Sequence, residues 1–320
     1  MNKIISTFLA LTLLGAAPSW AKMNILTSFP QDAAIAKAIA QDKAEIKSLT
    51  LASQDPHAIQ LKPNLAVMLN RADLLIVNGQ DMELAWLPTA LTYARNSKIL
   101  EGAPGYLNPS EGVQLIPYTP DELMSTPFFT TNIIAGTQSA GGGQVSVVRG
   151  NHHYWLDPAN GLIVARNIAA KLIEMDPANE SFYKENLSQF ETKLKEGIVK
   201  WDAMMEPFKG MKLISEHRDW NYLAKRHNLV VAGFIEPRET IPPSAAEMAA
   251  LIQKMKAQKI RLILTSPWQD LRMAQEIAKQ TGATHLVLPS SVGADVGVKD
   301  YIDLFDVVYG KLVSTLKGLQ

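Results

Sequence analysis

The sequence predicts an α/β protein of two lobes, each with a parallel sheet, joined by one long helix. Before residue 102 and again after residue 207, short apolar runs alternate with segments of helical spacing. Such alternation is typical of parallel α/β sheets. Between these regions lies a helical pattern of about 28 residues, which would span roughly 42 Å at the rise of an α-helix. A helix of that length outreaches one lobe and is expected to join two.

The first lobe, residues 22–176, is predicted from alternating elements in chain order. Strand and helix patterns follow one another over residues 23–29, 30–40, 44–51, 64–72 and 73–79. Residues 102–150 are rich in Pro, Gly, Ser and Thr, so they are predicted to form an irregular loop with residues 141–143 as a flexible glycine tip. Helical spacing returns at Pro158 and continues to the end of the lobe.

The linking helix, residues 177–206, starts at Pro177, and proline is favoured at the first position of a helix. Its apolar residues recur at steps of three or four, as one buried face requires. They are Phe182, Leu187, Phe190, Leu194, Ile198 and Trp201. The second lobe, residues 207–320, follows with four strand patterns that alternate with four helix patterns.

Composition excludes several classes of function. Lys and Arg total 31 and Asp and Glu total 31, so no excess of positive charge predicts binding to nucleic acid or to an anionic membrane. The chain has no cysteine, which excludes disulfides, thiol chemistry and every cysteine-based zinc pattern. Any metal site would therefore use His, Asp or Glu.

Residues 1–21 are interpreted as a secretory signal peptide. A short basic start precedes the apolar run IISTFLALTLLGAA, and Ser19 and Ala21 provide the small residues of a cleavage site. No cysteine follows that could carry a lipid, so we expect an exported periplasmic protein without a lipid anchor. No later apolar run reaches about 18 residues, so the mature chain is expected to be soluble.

Three of the six histidines fall where a parallel α/β sheet places ligand-binding residues, beyond the carboxyl ends of its strands. His57 lies in the loop after the second strand, His153 lies in NHHYWLDPANG, and His217 ends the strand MKLISEH. Imidazole suits zinc, copper, iron and nickel, so this shared placement predicts a bound metal. Adjacent residues of an extended strand face opposite sides, so His152 is expected to be exposed.

The other polar residues of interest are predicted to be structural. His227 ends a helix, and His285 begins a strand on the side away from the carboxyl ends. Asp157 precedes Pro158 and is expected to cap the helix that begins there.

Several stretches together resemble the metal-binding solute receptors of ABC importers for zinc, manganese or iron. They cover nearly the whole mature chain: DPHAIQLKPNLAVMLNRADLLIVNGQDMELAWLP, HYWLDPANG, MDPANESFYKENLSQF, ISEHRDWNYLAKRHNL, PSAAEMAALIQKMKAQKI and IAKQTGATHLVL. The resemblance implies a protein that captures a divalent metal between two lobes. It also implies delivery to an ABC permease in the inner membrane, with the receptor acting as a monomer and binding no nucleic acid.

The resemblance also implies the metal ligands. In that family three side chains on these motifs and one carboxylate from the last lobe hold the metal, and carried over by position the three are His57, His153 and His217. Pro289 stands at the position of the carboxylate, and Ser266 stands where the family often has another acid. A nearby acid could substitute, and four candidates remain open: Glu216, Glu236, Glu239 and Asp295.

Three imidazoles without a carboxylate favour zinc, with manganese and iron as alternatives, because harder ions prefer oxygen ligands. Two other functions remain open. Three histidines with a water also form a catalytic zinc site, although no HExxH, GxSxG or phosphate-loop motif is present and no enzymatic activity is expected. Loss of the carboxylate at Pro289 would also fit a receptor-like accessory protein that no longer binds metal.

Overall fold

The computed structural model describes residues 22–118, 150–238 and 241–320. The predicted signal peptide, residues 1–21, lies outside the described residues. So does most of the predicted irregular loop, including its three glycines, and so does Glu239. Among the described helices, none combines the length and the apolar character that crossing a membrane requires.

The first sheet is fully parallel, with strand order β2-β1-β3-β4. Its strands are β1 Met23–Thr27, β2 Ala44–Ser48, β3 Leu74–Ile76 and β4 Tyr106–Leu107. The helices of this part are α1 Pro30–Ala40, α2 Pro63–Asn70, α3 Leu87–Ala94 and α4 Pro158–Met175. Helix α3 was not predicted from the sequence. Strand β4 lies within the stretch predicted to be an irregular loop, because a two-residue strand leaves no periodic pattern.

The second sheet repeats this arrangement, parallel throughout with strand order β6-β5-β7-β8. Its strands are β5 Lys212–Ser215, β6 Val230–Phe234, β7 Leu262–Thr265 and β8 Thr284–Val287. Its helices are α6 Asn221–Arg226, α7 Ala245–Gln258, α8 Leu271–Thr281 and α9 Tyr301–Leu319. The prediction of an α/β protein with two parallel sheets is therefore confirmed.

The long helix between the sheets is α5, Glu180–Met205, with 26 residues and thus a length of about 39 Å. Its buried face includes Tyr183, Leu194 and Trp201. The Trp201 ring lies 5.3 Å from that of Phe305 and 5.5 Å from that of Tyr309, both on α9. The last helix therefore returns to pack against α5. The division of the chain at residues 176 and 206 stays a prediction.

Two clusters of buried apolar side chains form the described core. The larger cluster surrounds the first sheet and continues through α4, α5 and α9. The smaller cluster lies between the second sheet and helices α7 and α8, and its members are Ile214, Ile235, Ile252, Met255, Ile260, Ile263, Ala274 and Ile277. In both sheets, loops at the carboxyl ends of the strands carry histidines. The candidate site lies at these loops.

Candidate metal centre

Four histidine side chains meet at the carboxyl ends of the two sheets. His57 lies in the loop between β2 and α2, His152 and His153 lie just before α4, and His217 follows β5 by two residues. One ring nitrogen from each lies within 4.8 Å of those of the other three. The structure therefore brings together His57, His153 and His217, as the sequence predicted, and adds His152.

The rings pack closely in this cluster. The His57 centroid lies 5.1 Å from that of His152, 5.3 Å from that of His153 and 5.1 Å from that of His217. His153 lies 4.5 Å from His152 and 5.2 Å from His217. Nitrogen atoms this close can hold a single metal ion after small adjustments, because zinc binds imidazole nitrogen at about 2.0–2.1 Å.

The expectation that His152 is exposed is wrong, since only 3% of the residue is accessible to solvent. The expectation assumed an extended strand, in which neighbours diverge. Residues 151–153 instead form an irregular turn, and His153 has φ −82° and ψ 28°. That bend lets both rings enter the cluster.

Hydrogen bonds orient two of the rings through Nδ1. Asp55 Oδ1 lies 2.8 Å from His57 Nδ1 and also accepts the His57 backbone N–H. Asn151 Oδ1 lies 2.9 Å from His153 Nδ1 and accepts the His153 backbone N–H. Both rings can then direct Nε2 into the cluster, and the Nε2 atom of His153 is buried without a hydrogen-bond partner. Such supporting partners are typical of metal-binding histidines.

Burial lowers the pKa of His152, His153 and His217 well below the usual value for histidine. The neighbouring imidazoles and Arg218 act in the same direction, because each additional positive charge would be repelled. Backbone hydrogen bonds with Gln80 and Glu236 act in the opposite direction on the pKa of His152 and of His217, respectively. At neutral pH these three rings are therefore uncharged, the form in which imidazole binds a metal.

The three candidate acids within the described residues, Glu216, Glu236 and Asp295, do not join the cluster, which there contains histidines alone. Glu216 is buried, and burial with the neighbouring charges of Glu236, Asp219 and Asp270 raises its pKa to about 8. Asp295 forms an ion pair with Lys311 at 2.5 Å.

Sequence reasoning missed one buried carboxylate next to the site, Asp219. It is 1% exposed and accepts hydrogen bonds from Ser215 Oγ at 3.2 Å and Ser266 Oγ at 2.5 Å. Burial raises its pKa to about 6, while these hydrogen bonds and the charge of His57 oppose the rise. Ser266 thus holds the carboxylate of Asp219 in place. The spacing H-x-D after a strand was the available signal.

The loop that contains Pro289 positions two tryptophans. Beside Pro289, the Ser290 carbonyl accepts the Trp155 indole N–H at 2.8 Å, and its hydroxyl accepts that of Trp268 at 3.2 Å. The Trp155 ring lies 5.3 Å from that of His153, and the Trp268 ring lies 5.9 Å from that of His57. The aromatic rings therefore shield the imidazole cluster.

A small cavity of about 20 Å³ adjoins His153, Trp155, Asp219 and Trp268. That volume holds a water molecule or an ion. A larger cavity of about 490 Å³ lies elsewhere, lined by residues of α5 and α6 and by none of the four clustered histidines.

The remaining histidines and the capping aspartate behave as structural residues. His227 Nε2 lies 2.8 Å from the Tyr309 hydroxyl, and His285 Nε2 lies 2.8 Å from the Thr265 hydroxyl. Asp157 accepts the backbone N–H of Ala159 and caps α4, as predicted.

Two parallel sheets, a long connecting helix and a buried histidine cluster at the facing strand ends define a protein built to hold a small ion. Residues 25–315 match the family model described as zinc-uptake complex component A, periplasmic. The chain belongs to this family. Its resemblance to metal-binding receptors of ABC importers, stated from the sequence motifs, is confirmed at the level of the family.

Relatives with different metals in their names are similar over most of their length. The iron ABC transporter substrate-binding lipoprotein MtsA of Streptococcus pyogenes serotype M1 is 26% identical over 88% of this chain and 86% of its own. The high-affinity zinc uptake system protein ZnuA of Bacillus subtilis (strain 168) is 24% identical over 88% and 84%. The manganese lipoprotein PsaA of Streptococcus pneumoniae is 25% identical over 81% and 77%.

Solved structures share the fold. A crystal structure of ZnuA has a TM-score of 0.74 at 23% identity, covering 92% of this chain and 99% of the other. The manganese-bound periplasmic metal-binding protein of candidatus liberibacter asiaticus has a TM-score of 0.72 at 22% identity, covering 92% and 100%. At this identity the likeness supports the two-sheet architecture alone.

Proposed function

We propose that this protein captures a divalent transition metal, zinc before manganese or iron, at His57, His153 and His217 and delivers it to an ABC permease in the inner membrane. The observation that carries the proposal is the buried cluster of imidazoles at the facing ends of the two sheets. Burial keeps three of its rings uncharged, so their lone pairs are available to a metal at neutral pH.

The preference for zinc follows from the donor atoms. The described residues that could hold an ion together offer imidazole nitrogen and no carboxylate. Imidazole suits zinc, whereas manganese favours carboxylate and carbonyl oxygen. The relatives named for iron, zinc and manganese show that the family alone does not decide the metal.

The same geometry supports binding in preference to catalysis and to an accessory role without metal. The cavity next to His153 is about 20 Å³, room for an ion or a water but not for an organic substrate. Four imidazoles converge there, three of them buried and one half-buried, and such a set of nitrogen donors suits a metal ion. We therefore propose no enzymatic activity.

We also propose where the protein works and how it releases the metal. Residues 1–21 act as a signal peptide, and the mature protein works in the periplasm as a monomer without a lipid anchor. Two relatives are named lipoproteins, whereas this sequence contains no cysteine. The linking segment, residues 177–206, joins the two lobes through α5 and limits hinge motion. Release therefore occurs through small lobe shifts and loop rearrangement.

Metal content and affinity of the purified mature protein test the proposal. The protein is loaded in turn with zinc, manganese and iron, beside a His153→Ala variant and a His285→Ala control outside the cluster. One tightly bound zinc that is lost in His153→Ala and retained in His285→Ala is expected. Absence of bound metal from the unaltered protein would refute the metal-receptor function.

A further inference from the structure

We infer that His152 supplies the fourth metal ligand in place of the family carboxylate, so that four imidazoles hold the ion. The inference rests on the proposed metal-binding function. The Nε2 atoms of His152 and His57 lie 3.1 Å apart. Two ligands of one tetrahedral zinc stand about 3.3–3.4 Å apart when each bond is about 2.0–2.1 Å. This pair already has nearly the spacing that a shared ion requires.

The burial of His152 also fits a ligand. Its ring lies within the group whose nitrogen atoms are all within 4.8 Å of one another, and the residue is 3% exposed. In the absence of a metal, the close Nε2 pair can share one hydrogen, with one ring donating and the other accepting. When a metal binds, that hydrogen moves to the Nδ1 atom of the same ring, and both Nε2 lone pairs then bind the ion.

A tightly held loop after β3 fixes the backbone of His152. The Asn78 side-chain amide donates to the His152 carbonyl at 3.0 Å. Glu83 in turn accepts the backbone N–H of Asn78 at 2.6 Å and that of Gly79 at 3.1 Å. The loop is therefore hydrogen-bonded to the turn that contains His152.

The same loop has an unusual backbone. Gly79, Gln80 and Asp81 have φ values of 76°, 56° and 65°. Two successive non-glycine residues in this region are strained, and such strain persists where surrounding contacts over-determine it. The Glu83 carboxylate supplies those contacts through the backbone of Asn78 and Gly79 and the Ser28 hydroxyl. We assign the loop the role of positioning His152.

A four-imidazole site has a consequence for the choice of metal. With no carboxylate among its ligands, the site keeps the full double charge of the ion and offers only nitrogen donors. Tetrahedral nitrogen coordination suits zinc, whereas manganese prefers oxygen ligands in octahedral geometry. His152 therefore disfavours manganese relative to zinc, because it supplies nitrogen in place of an oxygen ligand.

The experiment compares His152→Ala and His152→Asn with the unaltered protein and with the control His285→Ala. Zinc affinity is measured by competition with a chelator, and X-ray absorption counts the imidazoles around bound zinc. We expect four imidazoles in the unaltered protein, three in both variants, and an affinity loss of roughly 10²-fold or more for one missing ligand. The Asn variant keeps a polar side chain, so it tests the inference if His152→Ala fails to fold.

The outcomes separate this inference from the proposed function. Tight zinc with three imidazoles in the unaltered protein, and unchanged affinity in His152→Asn, would overturn the role of His152 and leave the metal receptor intact. No zinc in the unaltered protein would overturn both.

A third variant, His152→Asp, tests selectivity by restoring a carboxylate. We expect the ratio of zinc affinity to manganese affinity to fall by about tenfold or more. An unchanged ratio would contradict the assignment.

Discussion

The two sheets have the same strand order, yet the surroundings of their cores are unequal. The first sheet lies in the larger apolar cluster with α4, α5 and α9. The second sheet is divided: Leu213 and Leu264 face the larger cluster, whereas Ile214 and Ile263 face the smaller one under α7 and α8. The alternation follows from the two-residue period of a strand. One side of the molecule is thus built on a continuous core, and the other carries a separate outer layer.

The histidine cluster is divided just as unequally. The first sheet's side contributes His57, His152 and His153, whereas the second contributes His217 and, two residues further along the chain, the buried carboxylate of Asp219. The side with the continuous core therefore carries three of the four clustered histidines. The second sheet completes the site through one side chain.

The largest expected effect is on the continuous core. Trp201→Ala should lower the free energy of unfolding by about 3–5 kcal/mol, because it removes a fully buried ring that packs between α5 and α9. Met255→Ala, in the smaller cluster, should cost about 2 kcal/mol. Chemical denaturation measures both values, and equal losses would contradict the proposed inequality of the two cores.

The second prediction concerns the single ligand from the second sheet. His217→Ala should weaken zinc binding by roughly 10²- to 10³-fold, since a zinc site of about 10–16 kcal/mol shared among four ligands loses one. Hydrogen exchange with and without zinc should show zinc-dependent protection at residues 74–83 but no longer at 212–220. Protection retained on both sides would show that the second sheet does not depend on His217.

The third prediction concerns His227, which lies in the second lobe outside the histidine cluster. Its replacement should change the free energy of unfolding but not the affinity for zinc. Burial lowers the pKa of His227 to about 4, so between pH 6.5 and 4 the unfolded chain binds a proton that the folded chain does not. The contribution of His227 to stability is therefore complete above pH 6.5 and is lost as pH falls toward 4, by roughly 3 kcal/mol.

The variant His227→Gln isolates this effect. The difference in unfolding free energy between the unaltered protein and the variant, measured by denaturation at pH 7 and pH 4, should change by that amount. Zinc affinity at pH 7 should remain that of the unaltered protein. A difference that is independent of pH would argue against a depressed pKa.

The smallest effect is expected at a residue that supports a ligand. Asp55→Ala removes the carboxylate that orients His57 and should weaken zinc binding by about 10- to 100-fold. Asp55→Asn keeps an oxygen acceptor and should lose less. Competition titration of both variants provides the measurement, and an unchanged affinity in Asp55→Ala would mean that the loop alone positions His57.

The sequence by itself determined the fold class, the long helix and three of the clustered histidines. The spacing of apolar residues predicts helices and strands, because apolar residues recur on the buried face of each element. His57, His153 and His217 could be found because strand ends in parallel sheets are predictable from the order of elements. Asp157 could be assigned as a cap from its neighbour Pro158.

Only the tertiary structure decided the position of His152 and Asp219. The turn at residues 151–153 has no periodic signature, and its direction depends on the Asn78 amide, which is distant in sequence. Asp219 is held by Ser266, 47 residues away. Contacts of this kind arise when the strand ends of two sheets meet. A local signal such as H-x-D can therefore nominate Asp219 but cannot place it beside the site, and the turn at His152 has no such signal.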